Sequence, residues 1–112
     1  MRQRFKRSKM GNVKRKADGI TFDSEKEYRR YADLRLMERA GEISDLQVHP
    51  KYDLIVNNRK VCSIIPDFEY VVGDEVVTED VKGRTGGGVQ WNLFRIKAKL
   101  FSAIYGREIK VV

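Results

Sequence analysis

The sequence predicts an α/β (α+β) fold in which a mixed sheet is flanked by two helices. Three observations lead there. The 112 residues suffice for one domain and not for two. Two stretches, about 25–40 and 91–105, place apolar residues at helical spacing. Between and after them lie runs rich in β-branched and aromatic residues, separated by turn signals. The expected order is helix, three strands, helix, strand, with both helices packed on the sheet.

The elements follow in chain order. Asp18-Gly19 reads as a turn and Ile20 to Phe22 as a short extended piece. Ser24 is placed to cap a helix, and Glu27 stands three residues later, as a capping box requires. The helix runs from Glu25 to about Ala40 and ends at Gly41. Tyr28, Tyr31, Ala32, Leu34, Leu36, Met37 and Ala40 give it a broad apolar face, with Glu27 at its margin. Tyr52, Leu54 and Val56 alternate with polar neighbours as a first strand, and Asn57-Asn58 turns the chain. A long second strand covers Val61 to Val72, interrupted only by Pro66. Gly73-Asp74 is a two-residue hairpin signal, and Glu75 to Lys82 forms the third strand. Arg84 to Val89 contains Gly86-Gly87-Gly88 and reads as a loop. The second helix carries Trp91, Phe94, Ala98, Phe101 and Tyr105 on one stripe and ends at Gly106, before a last strand from Glu108 to Val112.

Composition narrows the function. Hydrophobic residues at 41% and charged residues at 35% suit a folded protein rather than a disordered one. No apolar run approaches the ~20 residues needed to cross a bilayer. The first residues are charged where a signal peptide is apolar, so a cytoplasmic protein without a membrane partner is expected. Cys62 is the only cysteine and His49 the only histidine. They cannot build a structural zinc site of the usual kind. Cys62 reads as a buried structural thiol. His49, before Pro50 in a connecting segment, is given no catalytic role.

The formal charge of +7 is unevenly placed. Of 23 basic residues, eight lie within residues 1–16 (Arg2, Arg4, Lys6, Arg7, Lys9, Lys14, Arg15 and Lys16), leaving 15 against 16 acids in the remainder. Residues 1–16 therefore read as a basic arm suited to a polyanion such as DNA, and 17–112 as the domain. Arg84, Lys97 and Lys99, with Arg95 nearby, are further candidates for backbone contacts.

The hairpin holds the chemistry. With a two-residue Gly73-Asp74 loop, paired residue numbers sum to 147. Val72 then faces Glu75, Tyr70 faces Val77, and Asp67 faces Asp80. Directly opposite side chains share a face with Cβ atoms ~5 Å apart. Lys82, two residues beyond Asp80, joins that face, while Glu79 points to the other. Opposed aspartates repel, and a divalent cation relieves the conflict. Hard oxygen ligands suit Mg²⁺, with Mn²⁺ as a substitute. Such an ion polarises a phosphodiester and lowers the pKa of an attacking water, and a lysine beside it stabilises charge on phosphorus.

Pro66-Asp67 followed by Asp80-Val81-Lys82 resembles the PD-(D/E)XK nuclease signature, and the element order resembles the αβββαβ restriction-endonuclease-like core of that superfamily. A longer pattern resembles a family of small phage-encoded proteins placed in it: Phe22-Asp23-Ser24-x-x-Glu27-Tyr28 with Arg30-Tyr31, Gly41-Glu42-Ile43-Ser44-Asp45-Leu46, Asp67-Phe68, Glu79-Asp80-Val81-Lys82-Gly83 and Lys97-x-Lys99-Leu100-Phe101. It spans nearly all of 18–112. The resemblance implies a Mg²⁺-dependent endodeoxyribonuclease with Asp67 and Asp80 as ligands, Lys82 as catalytic lysine and Glu27 as a further ligand or base-side acid. Glu25 is a competitor for the last role. Small phage and archaeal members include Holliday-junction resolvases, homodimers acting on branched DNA, which would place a phage-encoded protein in the host cytoplasm. Gln90 and Phe94 have the spacing of a glutamine–aromatic pair that other members carry after the lysine, with tyrosine the usual aromatic. The alternatives are a nuclease of other specificity, nicking or recombination-associated, and a non-catalytic DNA-binding module.

Overall fold

The structure, a computed structural model, describes residues 14–82 and 88–112. The fold is α+β. A hairpin of β1 (Arg15–Ala17) and β2 (Ile20–Phe22) leads into α1 (Glu25–Arg39). Strands β3 (Ser44–Val48), β4 (Tyr52–Val56), β5 (Arg59–Ile64), β6 (Phe68–Val72) and β7 (Glu75–Asp80) follow, then α2 (Gly88–Tyr105) and β8 (Ile109–Val111). The central sheet has the order β3-β6-β7-β8, antiparallel except for the parallel β7–β8 pair.

Helix α1 starts where the capping signal placed it. Ser24 Oγ accepts from the Glu27 amide at 3.1 Å, removing one unpaired donor of the first turn. Glu27 does not complete the box. Its carboxylate lies against His49 instead. Of the expected apolar face, Tyr31 and Leu34 are buried, together with Glu27 itself, while Leu36 and Ala40 are exposed. Leu36 stands nine residues from Glu27, half a turn round the helix at 100° per residue.

The strands differ from the sequence expectation in two instructive ways. Val61 to Val72 is not one strand. Pro66, which has no N–H to donate, separates β5 from β6, and the two belong to different sheets. The expected first strand, Tyr52 to Val56, pairs only with β5 in a hairpin turned by Asn57 and Asn58, both with positive φ. The edge strand of the central sheet is β3, which the sequence reading passed over. Its register shifts between Ser44 and Gln47, and Asp45 takes a φ of 54°, so the two-residue alternation is broken. The order α1-β3-β6-β7-α2-β8 thus keeps the expected count, with the β4–β5 hairpin inserted. Arg15 and Lys16, expected at the end of a basic arm, lie in β1. Helix α2 begins at Gly88, three residues before the expected start.

Two apolar clusters hold the layers. Phe22, Tyr31, Leu34, Ile43, Phe68 and Tyr70 pack α1 and the β1–β2 hairpin against one side of the sheet. Leu54, Ile64, Phe101 and Ile109 join α2 to the inserted hairpin and β8, and half-buried Cys62 packs at their edge. No helix among the described residues is long and apolar enough to cross a membrane.

Candidate metal centre

The β6–β7 hairpin obeys the register arithmetic. Val72 pairs with Glu75, Tyr70 with Val77 and Phe68 with Glu79. Gly73, with a φ of 60°, supplies the left-handed residue at the first turn position that a type II′ turn needs. One step beyond the last pair, the Asp67 amide donates to the Glu79 carbonyl at 3.1 Å and lies 3.2 Å from Asp80 Oδ1. Asp67 and Asp80 are therefore brought together, as their spacing predicted. Asp67 Oδ2 also accepts from the Val81 amide at 2.7 Å, which fixes its carboxylate. The chain past β7 is held against β8 by Lys82 N–H to Val112 and Val112 N–H to Asp80.

Lys82 points back to the same place. Its Nζ is 2.7 Å from Asp80 Oδ2 and 3.9 Å from the centroid of the Phe94 ring. Phe94, noticed in the sequence only for its spacing from Gln90, thus lies beneath the lysine as a cation–π partner. Gln90 is exposed near the start of α2.

Glu79 is on the opposite face, as predicted, and has a different task. It is wholly buried and receives Arg30 Nε at 2.8 Å, Arg30 Nη2 at 2.5 Å and the Tyr70 hydroxyl. Burial works to raise its carboxyl, but the hydrogen bonds from Arg30 and Tyr70 outweigh it and hold Glu79 below the usual range. This bidentate pair ties α1 to β7.

Glu27 and Glu25 are separated by environment. Arg15 hydrogen-bonds Glu25 and holds it below its usual range, with Arg29 as a second partner. Glu27 is 5% exposed and turns inward. Its Oε1 is 3.1 Å from His49 Nε2. The residue that sequence reasoning set aside thereby enters the site. His49 follows β3 directly, with a φ of 56°, and its amide donates to the Asp67 carbonyl at 2.9 Å. One ligand atom each of Glu27, His49 and Asp67 lies within 4.8 Å of the other two. With β3 unread, nothing in the sequence indicated that His49 would land beside Asp67; its rarity was the one available signal.

The electrostatics are those of crowded acids. Burial, then the charges of Asp80 and Glu27, push the Asp67 carboxyl up to about 9 from its ordinary 3.8. Three carboxylates converge here, and Lys82 is committed to Asp80. A divalent cation fits this donor set, since it would replace mutual repulsion with attraction. An open cleft of about 620 Å³ between the β1–β2 hairpin and β3 reaches the cluster at His49, with Arg35 also on its wall.

The expected phosphate-contact residues are dispersed. Lys14 pairs with Asp23 at 3.6 Å, and Arg15 with Glu25 while its guanidinium covers Tyr28. Lys16, Arg95 and Lys99 are exposed and Lys97 is half-buried. Arg2, Arg4, Lys6, Arg7, Lys9, Arg84, Gly86 and Gly87 lie outside the described residues.

A family model described as "Protein of unknown function (DUF1064)" matches residues 7–112. The chain belongs to this family. The DUF1064 match takes in every element from β1 to β8, and with them Glu27, His49, Asp67, Asp80, Lys82 and Phe94. No curated protein and no solved structure matched the chain significantly.

Proposed function

We propose that this DUF1064 protein is a metal-dependent endonuclease that hydrolyses phosphodiester bonds in DNA. The observation that carries the reading is the meeting of Asp67, Asp80 and Lys82 on one hairpin face with Glu27 from α1. The residue types fit a hard divalent cation, Mg²⁺ or Mn²⁺, held by Asp67 with Asp80 and Glu27. Such an ion would supply Lewis acidity toward a phosphate oxygen and would make a bound water more acidic than bulk water.

The protein's own groups supply the rest. Asp80 and the Phe94 ring hold the Lys82 ammonium at the site, where it offers a cation and hydrogen-bond donors to a phosphate oxygen gaining charge. The Val81 amide and the hairpin backbone hold Asp67, so its carboxylate needs little reorganisation to bind an ion. A purely structural role explains the cluster poorly. Three converging carboxylates weaken a sheet end unless something binds them.

Branched DNA is the substrate we propose, cut by a homodimer. The basic residues of 1–16 support binding to a polyanion, and one site of this kind cuts one strand, so paired cuts need a second subunit. The test is incubation with a synthetic four-way junction and with linear duplex, each with Mg²⁺, Mn²⁺ or chelator. Metal-dependent cutting that prefers the junction is expected. Absence of cutting with every ion refutes the nuclease, and equal cutting of both substrates refutes the branched-DNA preference. Junction binding without cutting would instead indicate a DNA-binding module.

A further inference from the structure

The geometry points to His49 Nε2 as a direct metal ligand, which makes the centre a mixed nitrogen–oxygen site selective for Mn²⁺ over Mg²⁺. This rests on reading the cluster as a metal centre and not on what the centre cuts.

Placement is the first argument. Atoms on opposite sides of an ion with ~2.1 Å bonds stand ~4.2 Å apart. The ligand atoms of Glu27, His49 and Asp67 already lie within 4.8 Å of one another. A shift of a few tenths of an ångström in each side chain would close them on one ion. All three sit on anchored backbone. Glu27 is in the capped first turn of α1, His49 directly follows β3, and Asp67 directly precedes β6. The bond from the His49 amide to the Asp67 carbonyl ties two of the three donors together without using either side chain.

Donor chemistry is the second argument. The carboxylates of Glu27, Asp67 and Asp80 alone would make an all-oxygen site, for which Mg²⁺ is well suited. An imidazole nitrogen changes the preference. Mg²⁺ binds oxygen and gives up its water reluctantly, whereas Mn²⁺ accepts imidazole alongside carboxylate. His49 Nε2 is the ring atom that faces Glu27, so the donor that would bind the ion points into the acidic group and not away from it. Asp80, paired with Lys82 at 2.7 Å, borders this group of three.

The test uses the full chain and Mn²⁺ itself. Pulsed electron paramagnetic resonance of the Mn²⁺ complex reads nitrogen bound to the ion, and calorimetry gives separate affinities for Mn²⁺ and Mg²⁺. The variant is His49→Asn, because asparagine tolerates a left-handed φ and replaces nitrogen with an oxygen donor. Wild type should show ¹⁴N hyperfine coupling and bind Mn²⁺ more tightly than Mg²⁺. In H49N the coupling should vanish and the Mn²⁺-over-Mg²⁺ ratio should fall ~10-fold or more, since even loss of groups supporting a ligand costs ~10–100-fold. Mn²⁺ bound without nitrogen coupling in wild type overturns the inference, whatever the variant's folding. An unchanged ratio in H49N, with the far-ultraviolet spectrum intact, does the same. Nitrogen coupling in a protein that cuts no DNA upholds the site and removes the nuclease. Metal-dependent cutting without nitrogen coupling does the reverse.

Discussion

Replacing Asp67 by asparagine should alter how stability depends on pH. In the metal-free protein, burial and the charges of Asp80 and Glu27 lift the Asp67 carboxyl to about 9 from 3.8. Between those values the folded state keeps a proton that the unfolded chain releases. The sign follows: the stabilisation is complete below the unfolded pKa and is lost as pH rises through the folded one. One retained proton gives a slope of about −1.4 kcal/mol per pH unit, so the loss from about pH 6 to pH 8 reaches at most about 3 kcal/mol. The asparagine side chain keeps the shape and an oxygen to accept from the Val81 amide, but it has no charge to titrate. Urea unfolding of wild type and D67N with chelator, at several values across this range, measures the difference. Wild type should lose stability relative to D67N steadily with pH, and added Mn²⁺ should reverse the order by stabilising wild type alone. Parallel curves for the two proteins would refute the picture of a crowded, proton-holding cluster.

Arg30→Met should cost about 3–5 kcal/mol in urea unfolding, because it leaves the buried Glu79 carboxylate without its cation; a loss below about 1 kcal/mol would show that Glu79 is compensated elsewhere. Phe94→Leu keeps apolar bulk in α2 but removes the ring beneath the Lys82 ammonium. It should lower kcat ~3–30-fold with KM unchanged, and a raised KM at constant kcat would contradict a role through Lys82. Deleting residues 1–13 removes Arg2, Arg4, Lys6, Arg7 and Lys9 while leaving β1 entire. Affinity for DNA should fall, and its salt dependence should flatten by about 0.9 in log–log slope for each phosphate that is no longer neutralised; an unchanged slope would exclude this stretch from DNA binding.

What the sequence made legible follows physical locality. The β6–β7 hairpin needs only its two-residue turn and the alternation of its strands, so residue numbers placed Asp67 opposite Asp80 and turned Glu79 away. The cap of α1 is equally local, and Ser24 was found from its neighbours. Glu27 was found partly for the wrong reason: it satisfies the spacing of a capping box, yet its carboxylate serves the cluster. The misreadings arose where local pattern and tertiary pairing part. Strand β3 carries a register shift and a left-handed Asp45, so its alternation is hidden. Tyr52 to Val56 alternates well and still stands outside the central sheet, because Pro66 diverts its partner strand. His49 was lost with β3, since its place beside Asp67 depends on a pairing across the sheet. The Phe94–Lys82 contact likewise depends on where α2 packs.

The central claim, a metal-dependent cut made by the Asp67–Asp80–Lys82 group, is tested most directly by comparing wild type with Asp80→Asn on supercoiled plasmid. Cleavage would be followed with Mn²⁺, with Mg²⁺ and with chelator, alongside DNA binding and unfolding of both proteins. Asparagine preserves the volume of Asp80 but removes the charge that pairs with Lys82 and would face the ion. The account predicts nicking by wild type only when a divalent ion is present, and none by D80N, which still folds and binds DNA. Undiminished, metal-dependent nicking by D80N, or none by wild type with either ion, would contradict it.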